Sequence, residues 1–269
     1  MVTARHRPYT PASAIVFAVT QQALPRRDAR LGRAFGDDHA VQGVALLLPG
    51  GTAAGTRGRS RRAAAAMLPL ARRLARAGTG HEVVAHLLHY RHRGWNGADA
   101  HPVRDTEWAL EEVLRRYGDV PVCLVGRDIG ARAALRAAGH PSVVSVLALA
   151  PWLPEVSEDG GEEPVRQLAG RRVLIVHGTD DEHTGPDRSY RLAIRAKKIN
   201  PDVCRFEVHT DGHALRQHRS EVLALAEDFA LGSLCDRDLA RPVADALAAP
   251  PPLGLRMPLA AGFGRSLRH

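Results

Sequence analysis

Aromatic side chains are scarce in this chain: three Trp, four Tyr and five Phe in 269 residues. A core built from it must be made chiefly of Ala, Val and Leu. Lysine is nearly missing, with only Lys197 and Lys198 among 37 basic residues. The net charge of +8 is therefore carried by arginines, which are spread along the whole length and mixed with 29 acids. No recognition motif accompanies that charge, so it reads as a compositional habit and nucleic acid is not expected as a partner. The three cysteines, Cys123, Cys204 and Cys235, are few, odd in number and far apart. That pattern excludes a disulfide framework and a metal knuckle, and it suits a reducing, cytoplasmic setting. No apolar run approaches the ~18 residues of a membrane span. The short run at 14–19 is soon followed by Arg26 and Arg27, which does not fit a signal peptide, and no membrane partner is expected.

What is present is an alternation. The unbroken apolar run at 44–48 suits a strand buried on both faces, and strand patterns recur at 83–88, 122–125, 143–149, 173–176 and 203–208. Helical patterns at about 63–77, 103–116, 129–138, 186–198 and 220–231 fall between and after them. Glycine and proline punctuate the ends, as in Gly139-His140-Pro141. This order predicts an α/β fold with a mostly parallel sheet and helices on both faces. Residues 1–40 read as an N-terminal arm or edge strand, with a strand-like run at 14–20. Residues 41–235 form the domain, and the Ala/Pro/Arg-rich tail at 236–269 is expected to be partly ordered at best.

The densest signal is Val122-Cys123-Leu124-Val125-Gly126-Arg127-Asp128-Ile129-Gly130. A strand runs into Gly-x-Asp-x-Gly and then a helix, the layout of a nucleophile elbow, with Asp where Ser is usual. The glycines suit a turn too tight for side chains. A bare helix N-cap would explain Asp128 but not the two glycines. Downstream come His177-Gly178-Thr179-Asp180-Asp181 and then Asp211-Gly212-His213, each directly after a strand. Upstream lies Leu48-Pro49-Gly50-Gly51. Ligands gather at the carboxyl ends of strands in such folds.

In these four motifs and their order the chain resembles small, cap-less α/β-hydrolases, of the dienelactone-hydrolase-like and esterase-like kind common in actinobacteria. The resemblance covers about residues 43–232. It implies an α/β-hydrolase fold without a cap domain and a triad of Asp128, His213 and Asp181. Asp180 competes for the acid position. It further implies an oxyanion hole from the Gly51 or Thr52 amide and that of Ile129. Tyr90, Trp95 and Trp152 are candidates for the substrate pocket, although the 90–97 loop could equally pack on the sheet edge. The partner is a small-molecule substrate; no cofactor and no metal ligand is expected. The cluster Arg57, Arg59, Arg61 and Arg62 fits solvated loop charge better than an anion site.

An aspartate in the elbow changes the chemistry. Its carboxylate is already ionised at neutral pH and needs no base. Attack on an ester would give a mixed anhydride, whereas attack on saturated carbon gives an ordinary alkyl ester, which water activated by a histidine can hydrolyse. This is the logic of the epoxide hydrolases and haloalkane dehalogenases of the same superfamily. The stretch 151–172 is too short for their helical cap, so an acidic tyrosine would have to be Tyr90, Tyr9 or Tyr190. Ile129 stands where the dehalogenases place Trp, which favours epoxide opening. Two alternatives remain: non-hydrolytic acid/base catalysis by a lyase, isomerase or cyclase on a natural-product intermediate, and a ligand-binding protein of the esterase lineage without turnover.

Overall fold

The chain is described by a computed structural model over residues 28–157, 160–235 and 237–264. The run at 14–20 and Tyr9 lie outside the described residues. The apolar runs form strands, in order β1 (Arg30–Leu31), β2 (Gly43–Leu48), β3 (Val83–His89), β4 (Val122–Arg127), β5 (Val143–Leu149), β6 (Arg172–Gly178), β7 (Val203–Val208) and β8 (Met257–Pro258). Helices α1 (Arg61–Ala77), α2 (His101–Tyr117), α3 (Ile129–Ala137), α4 (Pro186–Ile199), α5 (Arg219–Leu234) and α6 (Arg241–Ala248) separate or follow them.

The eight strands make one sheet in the order β1-β3-β2-β4-β5-β6-β7-β8. Every neighbouring pair is parallel except β1 with β3. Successive strand residues point to opposite faces, and both faces are covered. Val44, Leu46 and Leu48 of β2 pack with α2, α3 and α4, whereas Ala45 and Leu47 pack with α1, α5 and α6. That is why β2 reads as an unbroken apolar run rather than as an alternating one.

The chain leaves β2 to one side for β3 and returns to its other side for β4. The crevice at this reversal of strand order is where such sheets hold ligands. The loops after β2 and β4 meet there.

One feature differs from the sequence expectation. The described part of the tail, 237–264, is more ordered than its composition suggests: α6 packs Val243 and Ala246 into the core, and β8 pairs with β7. Between β5 and β6, no α-helix occurs among the described residues, only a 3-10 turn at Arg166–Leu168, so no cap covers the sheet edge. No helix of the described residues is long and apolar enough to cross a membrane.

Candidate active site

The turn from β4 into α3 places Asp128 at φ 54°, ψ −122°, a strained backbone for a residue with a side chain. Close packing holds it there. A Cβ on Gly126 would lie 2.2 Å from the Gly130 carbonyl oxygen, and one on Gly130 would lie 2.2 Å from that of Leu48. Only glycine fits at either position, which accounts for the Gly-x-Asp-x-Gly spacing.

The two oxygens of Asp128 have different surroundings. Oδ2 accepts a hydrogen bond from the Gly51 amide at 3.2 Å. The Ile129 amide also stabilises the carboxylate. Oδ1 is buried, has no hydrogen-bond partner and lies 3.6 Å from His213 Nε2. Burial raises the Asp128 pKa; the His213 charge and the Gly51 and Ile129 amides oppose that shift without cancelling it.

His213 is held from its other side by Asp181, whose Oδ2 accepts from Nδ1 at 2.9 Å. Asp181 is itself fixed by the Thr184 amide at 2.9 Å, the His183 amide at 2.9 Å and His177 Nε2 at 3.1 Å. Burial opposes its charge, but the hydrogen bonds from His177, Thr184 and His213 outweigh burial and hold the carboxyl below the usual range. Asp181, not Asp180, is therefore the residue that orients the histidine. Asp180 accepts from the Thr179 hydroxyl instead. His177 is buried at the strand end and braces the same carboxylate.

A cleft of about 520 Å³ opens over Asp128 and His213. Met67 and Leu70 of α1 and Val222 and Leu223 of α5 form its apolar walls. Arg127, Arg216 and Arg219 also line it, and Asp128 is the only acid among its lining residues. Sequence reasoning missed these residues. The α1 and α5 positions carry the same apolar spacing as core, so only the unfilled space above them separates pocket from interior.

The structure brings together Asp128, His213, Asp181, Gly51 and Ile129. It does not bring four other expected residues to the cleft. The Thr52 amide donates to the Arg93 carbonyl at 3.0 Å and cannot serve an oxyanion. Tyr90 is buried, and burial together with Asp105 and Asp128 raises its pKa well above the usual phenol value. Trp95 is buried and Trp152 half-buried; they stack at 6.3 Å between ring centres, with the Arg132 guanidinium 3.9 Å from the Trp95 ring. The 90–97 loop is tied down by Asp105 bonding Arg91 and by Asn96 bonding Gly55, so it packs rather than lines the pocket. Tyr190 packs against Arg256, away from the cleft. The cluster Arg57, Arg59, Arg61 and Arg62 is exposed and outside the cleft.

No protein-family model and no curated protein matches the chain. Solved structures do. The esterase Pf2001 of Pyrococcus furiosus aligns with a TM-score of 0.58 at 15% identity, over 73% of this chain and 83% of that one. XC6422 of Xanthomonas campestris, an α/β serine hydrolase without a lid, aligns at 0.56 with 15% identity, over 78% and 90%. The Est2 esterase of Thermogutta terrifontis aligns at 0.57 with 17% identity, over 78% and 92%. With its parallel sheet, sharp β4–α3 elbow and short β5–β6 connection, the chain has the α/β-hydrolase fold without a cap.

Proposed function

We propose that this chain is a hydrolase that attacks saturated carbon through Asp128, most simply the opening of an epoxide-like small molecule. The division of labour within the Asp128 carboxylate carries this reading: Oδ2 is held by the Gly51 amide, whereas Oδ1 is unpartnered. Oδ1 bonds to a ring carbon as the carbon–oxygen bond breaks, and the leaving oxygen takes a proton from water. No tyrosine of the described residues lines the cleft to supply it. His213 Nε2 then removes a proton from a second water as that water attacks Asp128 Cγ. Charge developing on Oδ2 meets the Gly51 and Ile129 amides; collapse breaks the Cγ–Oδ1 bond, the departing oxygen takes the His213 proton to leave as the diol, and the new carboxyl gives its proton to the hydroxide left by the first water. Asp181 holds the imidazole through Nδ1 and stabilises the imidazolium. The esterase names of the structural neighbours support a hydrolase in general. The Asp128 chemistry departs from theirs.

The test is His213→Gln with a panel of epoxides. This variant should form the alkyl ester but not hydrolyse it, leaving a mass adduct on the Asp128 peptide. Absence of the adduct with a substrate that the wild type turns over sinks the covalent reading. It would favour the second one, proton transfer by the Asp128–His213 pair, for which the raised Asp128 pKa is the specific observation.

A further inference from the structure

The elbow substitution creates a contact that a serine would not. Asp181 accepts at His213 Nδ1, so Nε2 of the neutral imidazole presents a lone pair. It faces Asp128 Oδ1, a second acceptor, at 3.6 Å. A serine hydroxyl would place its proton in that gap. Two acceptors leave the gap to be filled by a proton or a cation.

A third donor stands beside it. The His183 and His213 rings meet edge-on with centres 4.8 Å apart. One ligand atom each from Asp128, His183 and His213 can be chosen so that all three lie within 4.8 Å of one another. We propose that these residues bind a single divalent transition-metal ion of the zinc class, and that its occupancy shuts off the hydrolytic site. The site clause stands on this geometry alone; the shut-off clause rests on the function proposed above.

The chemistry of the donors fits. Metal–nitrogen and metal–oxygen bonds of about 2.0–2.2 Å put neighbouring tetrahedral ligands about 3.4 Å apart, close to the Asp128–His213 separation. Asp181 behind His213 is the outer carboxylate that orients a metal-bound imidazole and raises its basicity. Two imidazoles and one carboxylate select zinc, cobalt or nickel over calcium and magnesium. Three protein donors leave a fourth position open to the cleft. Arg127, Arg216 and Arg219 on the same cleft oppose a cation, but Arg216 and Arg219 are solvent-exposed and screened, and the coordination bonds outweigh them. No sequence pattern announced this site, because its ligands stand at 128, 183 and 213 on three separate loops.

Zinc titration of the full chain, stripped by chelator dialysis, tests it by calorimetry. One site of micromolar or tighter affinity is expected. His183→Ala should weaken it about 10-fold or more and abolish the visible bands of the cobalt-substituted protein. Because the His183 amide holds Asp181 and its ring packs on His213, turnover of each variant with zinc is read against that variant's own metal-free rate. Asp37, Asp38 and His39 form an exposed competing cluster, so Asp37→Asn with Asp38→Asn should leave the high-affinity site intact. No zinc binding, binding that survives His183→Ala, or binding lost in the Asp37/Asp38 variant overturns the site. Zinc should inhibit wild-type turnover and spare His183→Ala; bound zinc without inhibition overturns the shut-off. The calorimetry needs no substrate, so failure of the metal site and failure of the covalent reading are read separately.

Discussion

Asp128 holds its charge where burial disfavours it, and Asp181 holds its charge where hydrogen bonds favour it. The two therefore pull stability in opposite directions with pH. For Asp128 the folded pKa lies above the unfolded one. Its contribution to stability falls as pH rises from about 4 through the folded value, and its ionised form burdens the fold at neutral pH. For Asp181 the folded pKa is depressed. Its contribution is present above the unfolded value and lost as pH falls through the folded one. Asp128→Asn should raise Tm at pH 7, because it removes a charge that burial disfavours, and the gain should vanish below pH ~4. Asp181→Asn should lower stability at pH 7 by about 2 kcal/mol, the loss of hydrogen bonds to a charged acceptor, with the gap closing in acid. Paired melts across pH read both. If Asp128 is the nucleophile proposed above, activity should rise with pH through the Asp128 transition as the carboxylate forms; a flat acid limb in kcat/KM would contradict that assignment.

Among the elements, α3 and the 150–171 connection act together. Arg132 is fully buried and bonds Glu163 at 2.8 Å, and Arg136 bonds the other oxygen of the same carboxylate at 2.5 Å. Glu163 thereby clamps the connection to the helix that starts at the elbow. Glu163→Gln leaves Arg132 without that countercharge and should cost about 3 kcal/mol, read as a shifted denaturation midpoint. Activity should fall with it if the clamp positions Asp128. Legibility was uneven here. The strands were plain because burial on both faces leaves continuous runs such as 44–48. The grouping of Asp128, His213, Asp181 and Gly51 at one sheet edge was legible because each follows a strand. The roles of Trp95, Trp152 and Tyr90 were not, since an aromatic near a strand end can face a pocket or a guanidinium, and Arg132 decides which. Thr52 was misjudged because one residue along a loop reverses where an amide points.

At the scale of the molecule, the C-terminal segment closes the sheet. β8 pairs with β7, and Val243, Ala246, Leu255 and Leu259 are buried beneath it. Its helical period runs for only 8 residues, Arg241–Ala248, amid alanines and prolines, which hid this role in the sequence. Ending the chain at residue 240 should expose the β7 edge, remove about 5 kcal/mol of apolar burial and promote aggregation; light scattering and thermal melts of the shortened chain would show it. The Gly51 amide, engaged by Asp128 Oδ2, has a wider consequence. Esterase reagents such as fluorophosphonates and boronic acids need a nucleophilic hydroxyl and a vacant cradle for an incoming oxygen. With Asp128 in the elbow and its Oδ2 on the Gly51 amide, this site offers neither, so a labelled proteome surveyed with such reagents should leave it dark. Under the proposed reading, strained-ring electrophiles are the bait to use.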